Sequence, residues 1–146
     1  MIRASTTAAA PPQTGKNHNP STVWPVPDTF RGVYSHAFEV PTGKRLLFIS
    51  GQVGVAPDGT LPSDFAVQCE QAMDNVEALL EAAGMARVDI VKLTYFLTRA
   101  EDAPTLGQIR RRRWASDQAP SVTALVVSAL ARPEYLFEIE AIAAAG

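Results

Sequence analysis

A single cysteine, Cys69, among 146 residues excludes an internal disulfide and any cysteine-based zinc site. The two histidines, His18 and His36, sit in different segments, which argues against a histidine metal cluster. No apolar run approaches the ~20 residues that a membrane-spanning helix needs, so no membrane partner is expected. Neither sign of charge dominates: 13 Lys and Arg against 15 Asp and Glu leave −2. That balance gives no support to nucleic acid as a partner bound through bulk charge. What is present is ordinary globular usage, 47% hydrophobic and 19% charged, at the length of one domain.

Residues 1–31 differ from the rest. They show neither a period of 2 nor one of 3.6, and they hold five of the chain's 11 prolines: Pro11, Pro12, Pro20, Pro25 and Pro27. Proline fixes φ and removes a backbone donor, so this stretch should be extended and outside any central ladder. Ala4 to Ala10 is too small and polar for a secretory h-region. The lack of acids before Asp28, with Arg3 and Lys16 present, resembles a transit peptide only weakly. We read 1–31 as a Pro-rich extension whose Val23, Trp24 and Val26 dock on a domain spanning 32–146, in a cytoplasmic protein.

Within 32–146, Tyr34, His36, Phe38 and Val40 alternate with polar or small residues at the period of a strand. A turn at Pro41–Lys44 leads to the strand LLFIS, Leu46 to Ser50, and the two predict a hairpin. From Asp64 to Ala83 the apolar positions Phe65, Cys69, Ala72/Met73, Val76 and Leu79/Leu80 recur every three or four residues. That predicts one helix, capped by Ser63 or Asp64 and ended by Gly84. Val88–Thr98 reads as a strand, Ala103–Ser116 as a second helix, and Ser121–Leu130 and Leu136–Ala143 as two more strands. The expected class is α+β, ordered β-β-α-β-α-β-β, with one sheet and two helices on one face.

LLFIS and TALVV are continuously apolar, so both of their faces want to leave water. Two helices cover only one face of a sheet. Either a partner subunit covers the other, or the sheet closes into a barrel on itself. In LFEIEAIA, Glu138 and Glu140 share a face, roughly 6–7 Å apart at the strand rise. Acids on a face assigned to an interface are costly unless paired or functional, so both readings stand.

These segments carry a family resemblance. The stretch SGQVGVAPDGTLPSDFAVQCEQAMDNVEALLEAAG, then IVKLTYFLT and FEIEAIA, resembles the Rid family (RidA, or YjgF-like), and GVYSHA at 32–37 is similar to that family's GPYSQA-type segment. The resemblance implies a chorismate-mutase-like fold assembled as a homotrimer, with a cleft between subunits that takes a small-molecule ligand. It implies hydrolysis of imines and enamines without a cofactor. By position it implies that Tyr34 lines the cleft, and that Ser50 and Gly51 offer a hydroxyl and an N–H to the ligand. Glu138 would hold or activate water.

One departure bears on specificity. Archetypal members carry an arginine in a P-x-R-S segment that clamps the substrate carboxylate; here the segment is Pro120-Ser121-Val122-Thr123, and the arginine position falls on Val122. Losing one partner of a buried charge pair costs roughly 2–5 kcal/mol, or about 30- to 3,000-fold in binding. The substrate should therefore lack a carboxylate or present it elsewhere. Arg132, in the loop before the last strand, and Arg110 to Arg113 are the other cations available. Four successive helical residues sweep nearly 300°, so the latter cannot share one cleft. His36 could enter the cleft as a proton shuttle or be satisfied at an interface. Cys69 and Trp114 read as core. The reading from another class is a non-catalytic trimer that binds a metabolite or a protein.

Overall fold

The computed structural model describes residues 15–146; the expectations for 1–14 lie outside the described residues. Six strands and two helices follow in order: β1 (Lys16–His18), β2 (Ala37–Glu39), β3 (Arg45–Val53), α1 (Phe65–Ala82), β4 (Ile90–Leu97), α2 (Ala103–Trp114), β5 (Ser121–Val126) and β6 (Phe137–Ala145). The fold is α+β with two helices, as the sequence predicts, but β1 and β2 form a small sheet of their own beside a mixed main sheet. Its main sheet has the order β3-β6-β4-β5. Only β4 and β5 run parallel, and α2 makes the crossover that parallel neighbours require.

The helix α1 forms where the apolar period places it. Asp64 caps it by accepting from the Val67 amide at 3.1 Å. Gly84, at φ +69, ends it, and the Met85 amide folds back on the Leu80 carbonyl at 2.8 Å. Cys69, Ala72, Met73 and Val76 are wholly buried against the sheet, where Phe137, Ile139, Ala141 and Ala143 of β6 form the facing stripe. Leu93, Tyr95 and Leu97 of β4 and Val122 of β5 extend that covered face.

The other face of the sheet is bare. Leu46 and Phe48 of β3 stay 53% and 70% exposed. Phe96, Glu138, Glu140 and Ile142 lie on the same side, in the alternate positions of β4 and β6. A single chain does not close on itself as a barrel.

The predicted hairpin is corrected by the structure. β3 pairs with β6, whereas β2 pairs antiparallel with β1 of the extension, Asn17 opposite Phe38. The strand predicted over 34–40 is also shorter, because Tyr34 to His36 turn toward β5, where Ser35 bridges Ser121. Asn17 fixes this by donating to the Ala119 carbonyl at 2.6 Å. β5 ends at Val126 rather than 130. In the extension Val23 and Trp24 remain 40% and 60% exposed, although Trp24 meets the His36 ring edge-on at 5.4 Å.

Gln68 ties α1 to the start of β6. Wholly buried, its amide donates to the carbonyls of Pro62 (2.8 Å) and Glu134 (3.0 Å) and accepts from the Leu136 amide (2.9 Å). Replacing Gln68 by Leu leaves three backbone groups orphaned, and should cost about 2–5 kcal/mol in urea unfolding. Hydrogen exchange should rise first at Leu136; an unchanged midpoint would contradict this assignment.

Candidate functional site

The residues singled out from the sequence fall into two clusters at opposite edges of the sheet. The first lies where β3 meets β6. The β3–β6 register shifts between Ile49 and Gln52, so Ser50 and Gly51 sit in a bulge. A bulge re-aims side chains, and here Ser50 is exposed on a cavity of about 350 Å³ with Phe48, Lys92, Thr94, Glu140 and Ile142. Beside it Glu138 lies over Gly51: a Cβ at Gly51 would overlap Glu138 Oε1. Gly51 is therefore the residue that admits the carboxylate. Glu138 itself is half-buried. No hydrogen bond or ion pair engages its carboxylate among the described residues.

Asn75, in the D-N-V segment, secures this edge from α1. Its amide donates to the carbonyls of Val53 (3.1 Å) and Val55 (2.9 Å), while Gln71 supports it at 2.9 Å. Gly54 continues the close approach, since a Cβ there would overlap the backbone of Gln68.

The second cluster surrounds Tyr34, next to β5. The Tyr34 hydroxyl and His36 Nδ1 are 3.0 Å apart, and His36 Nε2 is 2.7 Å from the Trp24 carbonyl. His36 is thus held by the extension. Phe30 packs on Tyr34 at 6.0 Å between centroids. The two clusters are three strand spacings apart, roughly 14 Å, too far to act on one small molecule. The structure brings Ser50, Gly51 and Glu138 together; it does not bring Tyr34 to them within one chain.

Val122 and Arg132 belong to neither polar cluster as side chains that could bind an anion. Val122 is buried in the core beside Leu93. Arg132 is exposed in the loop before β6, and its carbonyl accepts from the Tyr135 amide at 3.1 Å. The arginines of α2 diverge as the helical rotation demands. Arg113 gathers Glu70 (2.9 Å), Asp74 (2.7 Å) and Glu77 of α1, and Arg112 also reaches Glu70. Arg111 donates to the Thr29 and Arg31 carbonyls. Arg110 alone turns inward and is 8% exposed. Sequence reasoning did not find that burial, nor the roles of Asn75 and Gln68.

Cys69 offers no nucleophile: buried without exposure, its thiol is pushed up to about 12 by loss of solvation. Among the described residues, no group of three His, Cys, Asp or Glu could hold a metal ion, and no helix is long and apolar enough to cross a membrane.

With this α+β fold and this site geometry in view, the chain can be set beside known proteins. Residues 28–145 match the family described as Endoribonuclease L-PSP. The chain belongs to that family and, by its relatives, to the Rid proteins within it. It is 37% identical over 102 residues to the 2-iminobutanoate/2-iminopropanoate deaminase of Escherichia coli K12, covering 68% of this chain and 79% of that one. The RutC family protein YjgH of the same organism is 39% identical over 99 residues, 67% of this chain and 74% of its own. The crystal structure of the Rid-family protein YyfB from Yersinia pestis superposes with a TM-score of 0.75 at 32% identity, over 89% of this chain and 98% of that one.

The Gly51–Glu138 contact can be tested without any activity. Gly51→Ala should destabilise the fold by about 1–3 kcal/mol through overpacking. In a Glu138→Ala background most of that penalty should vanish, giving a coupling above about 0.5 kcal/mol. Additive effects in urea unfolding would contradict the contact.

Proposed function

We propose that the protein hydrolyses a small imine or enamine, without a cofactor, in a cleft formed between copies of the chain. The observation that carries this is Glu138, a half-buried carboxylate admitted by Gly51 and engaged by no ion pair among the described residues. An acid held by its packing yet free of structural bonds suits proton transfer. The relatives named as imine deaminases support the same chemistry.

The steps balance without a redox or metal partner. Water adds to the carbon of the imine, already protonated from solvent, as Glu138 accepts a proton from that water, giving a carbinolamine. Glu138 then passes the proton to the nitrogen, ammonia departs, and the hydroxyl proton returns to solvent as the carbonyl forms. Ser50 and Gly51 would hold the polar end of the ligand, and Tyr34 would shape the pocket.

Tyr34 must then come from a neighbouring copy. Leu46 and Phe48 lie exposed beside Ile142 on the bare face, and burying them against identical copies removes apolar surface from water. A closed ring of three sets one edge of each subunit near the opposite edge of the next. The arginines of α2 are engaged with acids of α1, with backbone carbonyls or with aromatic rings, which favours a small molecule over nucleic acid.

Glu138→Gln should reduce turnover by about 100-fold or more while sedimentation still reports the assembled ring. A structural acid would instead lose assembly and leave activity per assembled unit unchanged. With imines generated in situ, Val122 predicts that substrates which rely on a clamp at that position turn over poorly. No turnover of anionic or neutral imines would favour the non-catalytic reading.

A further inference from the structure

A cavity of about 570 Å³ opens between α2, β5 and the segment before Tyr34, with Phe30, Leu97, Leu106, Gly107, Arg110 and Ala124 among its walls. Its lining is mostly hydrocarbon, with Thr29, Gln108, Arg110 and Arg111 as the polar members, and of these Arg110 is the buried one. Arg110 belongs to the inward stripe of α2, between Leu106 and Trp114, where a charge is out of place. Its guanidinium stands 5.3 Å from the Phe30 ring centroid and 5.8 Å from that of Tyr95. Its Nε is buried without a hydrogen-bond partner. Its charged neighbour is Arg111 rather than an acid.

Burying a cation with no anion beside it is costly, and a protein avoids it unless a ligand completes the pair. Two further features mark the place as open to a ligand. Gly107 weakens the interior of α2, and a Cβ there would meet nothing within 4 Å. Arg111 staples the Thr29 and Arg31 carbonyls, which holds Phe30 as the outer wall. Ala124 stands two residues along β5 from Val122 on the same face, roughly 6–7 Å away.

We infer that Arg110 is the anion-binding residue of this cavity, and that its ligand is a small organic carboxylate with an aliphatic tail. The positive charge missing from Val122 is supplied from the helix instead of the strand. The carboxylate pairs with the guanidinium, and the tail lies against Phe30, Leu97 and Leu106. This deepens the reading above, and rests on it only for taking the bound carboxylate to be the substrate or product.

The test uses 2-oxobutanoate as the probe, with butan-2-one as its neutral counterpart and phosphate as a general anion, by titration calorimetry on the full chain. The wild type should bind 2-oxobutanoate and neither control. Arg110→Met should weaken that binding at least about thirtyfold. Its melting temperature without ligand should stay the same or rise, because an unpaired buried charge is gone. Gly107→Leu, which fills the cavity and leaves Arg110 in place, should also abolish binding. A structural arginine would give a lowered melting temperature in Arg110→Met with binding intact, which overturns the inference. Equal binding of phosphate overturns it too. Imine turnover is measured separately: turnover unaffected by Arg110→Met overturns this inference alone, whereas binding lost with Arg110 in a protein that turns over no imine overturns only the proposed reaction.

Discussion

Everything in this molecule follows from a sheet that has helices on one side only. α1 and α2 bury the stripe of Phe137, Ile139, Ala141 and Ala143 and leave Leu46 and Phe48 in water. Hydrophobic burial scales with area, so Leu46 and Phe48 leave part of that driving force unspent on the bare face. It explains why the polar residues of interest stand at the edges of the sheet. An edge is where a second copy can supply what one chain lacks.

At the β3–β6 edge, a small backbone feature controls chemistry. The bulge at Ser50 and Gly51 breaks the ladder, and the missing side chain at Gly51 makes room for the Glu138 carboxylate. At the other edge, the extension does structural work. β1 captures β2, Asn17 fastens it to Ala119, and Phe30 walls the cavity into which Arg110 points. Residues 16–30 are thus built into the neighbourhood of Tyr34.

The helices and the core were legible because their signals are local. Phe65 to Leu80 carries its period and caps in consecutive residues, and β6 alternates cleanly about Glu138 and Glu140. The first hairpin was misread because pairing is a competition between distant segments. Alternation at 34–40 says strand but not which strand it joins, and β1 won the pairing. The contact of Gly51 with Glu138 depends on the register between strands more than 80 positions apart in the chain, which no window of sequence contains. Arg110 was hidden for another reason. A run of four arginines shows only that their side chains diverge around the helix, and the packing angle of α2 decides which one turns inward.

The central claim is that the site is divided between copies, with Ser50, Gly51 and Glu138 on one and Tyr34 on the next. Subunit mixing tests it most directly. Glu138→Gln and Tyr34→Ala are each prepared, unfolded together at equal amounts, and refolded into mixed rings. In a closed ring with shared sites, about one quarter of interfaces then unite two intact halves, so imine turnover should recover to about one quarter of wild type. A mixture no more active than the mean of the two variants would contradict a shared site and return all of its residues to a single chain.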